Sequence, residues 1–151
     1  MAIIMSRNEK KELINYLKER YSLEDFKFNF DFLRSGKEKV WIIPPEFNKI
    51  NLDKMRIEFV GSYFGSYDDK YFRLSVEACQ LIGPFAKKNF VELDEENLNK
   101  WIHGKNILEF NSINLTKGYV LIKNKKDFYG SGKFTGNIIL NMLAKNRRIK
   151  D

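Results

Sequence analysis

Residues 118–134 read GYVLIKNKKDFYGSGKF, and two local structures compete for them. In one, Gly130-Ser131-Gly132-Lys133 belongs to a loop that cradles nucleotide phosphates. Such a loop needs a glycine, four residues, then Gly-Lys and a hydroxyl residue, so that backbone N–H groups wrap the phosphates and the hydroxyl holds magnesium. With Gly132-Lys133 as the pair, the first glycine position is Asp127 and the hydroxyl position is Phe134. Neither residue serves, and an acid at that point repels phosphate. Gly136-Asn137 then interrupts any following helix. In the other, 118–124 and 127–134 are strands joined by the turn residues Asn124-Lys125-Lys126-Asp127. NIILNML is a further strand after the turn at Thr135-Gly136-Asn137. The strand reading is the one the residues allow.

Working outward, DEENLNKWIHG (94–104) reads as a helix. Asp94 caps it, acids follow where the helix dipole favours them, Leu98, Trp101 and Ile102 form its apolar stripe, and Gly104 stops it. NFVEL before it is a short strand. SVEACQLIGP (75–84) is a short helix, capped by Ser75 and ended by Gly83 and Pro84. Farther back, SRNE offers Ser6 and Glu9 as a capping box for a helix carrying Leu13, Ile14, Leu17 and Tyr21 at helical spacing. Phe26, Phe28, Phe30 and Phe32 follow at a period of two, as on a strand with one aromatic face in the core. EKVWIIP returns, Pro44-Pro45 ends it, and KMRIEFVGSYFG is another strand in which Gly61 and Gly65 imply a bend or close backbone approach. YDDK turns into YFRL. The expected class is α+β: a small N-terminal α/β domain over 1–72, then over 73–151 a mixed β-barrel with one main helix.

Forty-three per cent apolar and 15% aromatic residues in a chain of 151 are enough for a core. No apolar run approaches a membrane span, and MAIIM is too short for a signal peptide, so a soluble cytoplasmic protein is expected. Cys79 stands alone, which excludes an internal disulfide and a cysteine-rich zinc site. His103 is likewise single, and no GxSxG occurs, so no catalytic constellation, metal site or cofactor site emerges. The net charge of +7 is uneven: residues 1–70 hold 13 Lys and Arg against 12 Asp and Glu, whereas 71–151 hold 14 against 8. One-sided basic excess is the footprint of a polyanion binder, and also what a solvated, solubilising surface shows.

The stretches FRLSVEACQLIGPFAKKNFVELDEENLNKWIHGKNI, GYVLIKNKKDFYGSGKF and LNMLAKNRRI together resemble a PUA-like domain. They are similar to the RNA-binding C-terminal domain of the Sun/Fmu class of RNA cytosine-5 methyltransferases. Leu93 to Lys105, Gly118 to Ile122, Gly130 to Lys133 and Asn141 to Arg148 are the counterparts of its motifs, so the likeness covers roughly 73–149. Two positions depart: His103 stands where the family has Arg, and Ala144 where it has Pro. The family's cofactor loop and Pro-Cys nucleophile have no counterpart, so the resemblance implies a non-enzymatic relative of its RNA-binding end.

That resemblance implies structured RNA, rRNA or tRNA, as the partner, with a separate RNA methyltransferase chain as a second one. Lys133, Lys145, Arg147 and Arg148 would contact phosphates, joined by Lys125 and Lys126 from the hairpin turn, and Lys87, Lys88 and Lys105 would extend the path. Phe128 or Tyr129 would offer a ring to an unstacked base, or else serve the core. The alternative is a protein-interaction or dimerisation subunit that works through the aromatic-rich first 72 residues.

Overall fold

The protein is described by a computed structural model covering residues 2–44 and 62–150. The capping box at Ser6 and Glu9 forms as expected and starts α1 (Arg7–Tyr21), which buries Leu13, Leu17 and Tyr21. Around it an antiparallel sheet runs in chain order: β1 (Ala2–Ile4), β2 (Asp31–Ser35), β3 (Lys39–Ile43), β4 (Ser62–Asp68) and β5 (Tyr71–Leu74). The strand expected from Phe26 begins only at Asp31, because β1 and β3 offer pairing partners no farther upstream. Phe26, Phe28 and Phe30 nevertheless pack in sequence, with ring centroids 4.8 and 5.8 Å apart, and Phe30 continues onto Phe32 and Phe64. The period of two survives without the ladder. The strand expected over 54–65 is seen from Ser62 onward, and its earlier part, with Gly61, lies outside the described residues, as does Pro45. Gly65 shows the close approach expected of it: a Cβ there would sit 2.3 Å from the Arg73 carbonyl and 2.6 Å from the Phe72 ring.

Ser75 caps α2 (Val76–Ile82). Gly83 does not stop it with a left-handed turn, since its φ is −50° and the chain tightens into a 3₁₀ turn over Gly83–Phe85. The glycine serves packing instead, because the Phe128 ring lies 2.6 Å from where a Cβ would be.

The second sheet has the order β6 (Phe90–Glu92), β7 (Gly118–Asn124), β8 (Asp127–Phe134), β9 (Ile139–Asn141). β6 runs parallel to β7 and the rest are antiparallel, with α3 (Glu95–Ile102) crossing between β6 and β7. A bridge from Ile107 to Ile139 extends the β9 side. This is a mixed sheet as expected, but open: among the described residues β6 and β9 do not pair.

Two hydrophobic cores flank this sheet. The first joins Leu13, Leu17, Phe64, Phe72, Cys79 and Ile82 to Leu121 and Phe128. The second joins Val91, Trp101, Ile107 and Ile139 to Val120 and Ile122. Alternate residues of β7 therefore feed opposite cores, as a strand buried on both faces must. Phe128 is 5% exposed, so it belongs to the core and offers no ring to a ligand.

Candidate nucleic-acid interface

Gly130 to Lys133 lie inside β8, and Gly132 faces Val120 on one side and Asn141 on the other. Ser131, Gly132 and Lys133 are paired in the ladder and Gly130 sits at a register shift within the same strand, which closes the phosphate-loop reading. Lys133 projects from the strand, as expected, beside its register partner Tyr119. Its Nζ donates to Asp68 Oδ2 at 3.0 Å and lies over the rings of Tyr71 (5.6 Å) and Tyr119 (5.8 Å). Tyr119 Oη donates to the same carboxylate oxygen at 2.6 Å. These two donors, the tyrosine foremost, hold the Asp68 carboxyl below the usual range, while burial and Asp68 push the Tyr119 phenol up. A clasp thus ties the end of β4 to the hairpin.

A second tie starts at Arg20. Its guanidinium donates to the carbonyls of Thr116, Lys117 and Tyr119 at 2.8 to 3.1 Å. Asn89, 2% exposed, adds to it by donating to the Arg20 carbonyl (2.7 Å) and accepting from Thr116 N (2.8 Å).

The basic residues expected at the interface fall into several groups. Lys87 is paired with Glu24 and Asp25, and the Glu24 bond raises its ammonium's pKa. Lys125, at a positive φ in the hairpin turn, reaches Glu95 at 3.6 Å. Arg147 pairs with Glu77 of α2. Arg148 Nε donates to the Leu143 carbonyl, and its stem covers Gly104 so closely that a Cβ there would meet it at 2.7 Å. Lys88, Lys105, Lys126 and Lys145 form no ion pair with the described residues, and Lys105, Lys126 and Lys145 are exposed. The C-terminal segment docks at the end of α3, where Ile149 N donates to the Ile102 carbonyl and Asn141 Nδ2 to the Lys105 carbonyl. Lys125 and Lys126 lie at the opposite end of the hairpin from Lys133.

Between the two sheets opens a cleft of about 250 Å³, lined by Tyr63, Arg73, Ser75, Ser131, Asn146 and Arg147 among others. Sequence reading missed Arg73 and Tyr63. Both belong to the strand run 62–74, whose alternation reads as structural, and no periodic signal shows that the C-terminal turn folds against it.

Residues 88–149 match the model of the methyltransferase RsmF PUA domain. This stretch is similar to a PUA domain of that type. Ribosomal RNA small subunit methyltransferase F of Aeromonas hydrophila is 25% identical over 108 residues, covering 72% of this chain and 22% of the relative. Its namesake in Aeromonas salmonicida is 23% identical over 128 residues, covering 82% of this chain and 26% of the relative. The chain thus spans about a quarter of the length of the curated relatives it matches. Alignments of 108 and 128 residues are longer than the stretch from residue 88 to the end, so the likeness reaches into the part ahead of the PUA-like domain.

The two departures within the PUA-like domain have local roles. His103 is the C-cap of α3, with Nδ1 2.7 Å from the Asn99 carbonyl oxygen, and Ala144 opens the 3₁₀ turn Lys145–Arg147. Among the described residues no cluster of three or more His, Cys, Asp or Glu side chains could hold a metal ion. No described helix is long and apolar enough to cross a membrane. Cys79 is fully buried, and burial raises its pKa far above the range of a reactive thiol.

Proposed function

We propose that the chain binds structured RNA in rRNA or tRNA maturation, as an accessory to an RNA methyltransferase carried by another chain, and that it performs no catalysis of its own. The observation that carries this reading is the match of 88–149 to the PUA domain of an rRNA methyltransferase, on the basic half of the chain. The PUA-like sheet, completed by Ile107 and the C-terminal segment, acts as a barrel-like platform, with residues 1–72 as a lobe in front of it. Lys105, Lys126 and Lys145 are exposed and unpaired with described acids, so they are the cations readiest to meet phosphate; Lys133, Arg147, Lys125 and Lys87 must first leave an intramolecular carboxylate. Such contacts position RNA, and shape supplies the selectivity. Changing Lys105, Lys126 and Lys145 together to Glu should weaken binding of a structured RNA by at least about tenfold and flatten its salt dependence. Affinity measured by filter binding across a salt series checks this, and wild-type affinity that stays flat with salt would sink the reading.

The interaction-subunit reading has one observation in its favour: β1 is an edge of its sheet and exposes Ile3 and Ile4. Its aromatic argument is weaker, because Phe26 and Phe32 are core residues and Phe28 and Phe30 pack against that core.

A further inference from the structure

We infer that the cleft between the two sheets receives one unpaired nucleotide of the bound RNA, its phosphate held by Arg73 and Arg147 and its base laid against Tyr63. This rests on the RNA-binding reading above and assigns that reading a specific pocket. At about 250 Å³ the cleft falls just short of the ~300–1,000 Å³ typical of ligand pockets, which suits a single nucleotide and excludes a helix. The Arg73 side chain lines it and makes no hydrogen bond or ion pair with the described residues, the Asp68 carboxylate acting on it only at longer range, so its planar fork can turn to a phosphate. Arg147 faces Glu77 across the rim. Both side chains are about half exposed (46% and 54%), so water screens the pair and exchanging the carboxylate for a phosphate costs little.

The remaining walls suit a base. Tyr63 pairs with Trp41 at a ring-centroid distance of 5.2 Å, which makes a broad aromatic surface beside the cleft. Gly130, at φ +93°, keeps the opposite wall low: a Cβ there would come within 3.4 Å of Val76. Ser131, 6% exposed, also lines the cleft, with its hydroxyl donating to the Leu74 carbonyl at 3.4 Å. Tyr63 and Arg73 come from the first sheet, Ser131 and Arg147 from the PUA-like domain, so the pocket exists only where the two meet. A base held in a helix cannot offer its face to a ring, which is why the occupant is unpaired.

The test uses the full chain with a fluorescent oligouridylate and a blunt RNA duplex of equal charge. Wild type should bind the single strand more tightly. Tyr63→Leu and Arg73→Ala should each weaken that binding about tenfold while leaving duplex affinity and melting temperature unchanged. Arg147→Ala probes the other wall from a half-exposed position and should act in the same direction, which keeps the test decisive if a β-strand variant folds poorly. Wild-type RNA binding that none of the three variants alters would overturn the pocket and leave the RNA-binding reading standing. Salt-sensitive binding to neither RNA would overturn both. A protein crosslinked at Tyr63, in place of RNA, would also overturn the pocket.

Discussion

Asp68 takes two donors from a hairpin more than 50 residues away, Tyr119 and Lys133. Its carboxyl is held below the ~3.9 of a free aspartate. The folded form therefore gains stability that is complete above about pH 4 and disappears as pH falls through the lowered value. Because Asp68 is 42% exposed, the gain is below about 1 kcal/mol. Asp68→Asn should lower the melting temperature slightly at pH 7, and the gap from wild type should close as pH falls below the range of a free aspartate. Glycines give a sharper contrast. A Cβ on Gly132 would meet Ile139 at 2.5 Å and Trp101 at 2.8 Å, whereas at Gly36 it meets nothing but needs φ +66°. Gly132→Ala should cost up to about 3 kcal/mol through overpacking, and Gly36→Ala about 1 kcal/mol through left-handed strain; urea unfolding distinguishes them. At this scale the sequence is legible in part. Ser6, Ser75 and Asp94 announce caps because a cap acts within three residues. Lys133 announces a charge but not its destination, since Asp68 lies 65 residues away.

The elements show the same division. α1, α2, α3 and the β7–β8 hairpin follow from periodicity, capping and turn residues, which are local. What escapes is docking. Trp101 reads as one apolar residue in a stripe, yet it is fully buried and its Nε1 donates to the Tyr129 carbonyl at 2.9 Å, fixing α3 to β8. Trp101→Phe should cost about 2–4 kcal/mol, from the carbonyl left unpaired and the space left unfilled, visible as a lower urea midpoint. Arg20, in the last turn of α1, carries no motif of its own, yet its guanidinium spans three carbonyls at the start of β7 and just ahead of it. Arg20→Ala should cost about 2 kcal/mol. Arg20→Lys should recover less than half of that by the same measurement, because an ammonium cannot span the carbonyls as the flat fork does. β1 was also missed: three residues are too few to show a period.

For the whole molecule, the sequence separates a front part from a basic, PUA-like part. The first sheet runs on past residue 72 to Leu74 in β5, and the cores are shared. Leu121 and Phe128 sit among Leu17, Phe72 and Ile82, and α2 packs on β8. Unfolding should therefore be a single transition, with fluorescence and circular dichroism tracing the same urea curve; two separated midpoints would contradict it. The cleft follows from this arrangement too, since its walls come from both sheets, and no linear pattern could have indicated Arg73.

The double commitment of β7 also bears on how the chain is made. During synthesis the N-terminal α1 and its five strands are made while Leu121 and Phe128 are still to be translated, so their core has an apolar opening until the hairpin follows. At ~5–20 residues per second that interval lasts seconds. The nascent front lobe keeps that opening until the hairpin leaves the ribosome and fills the gap.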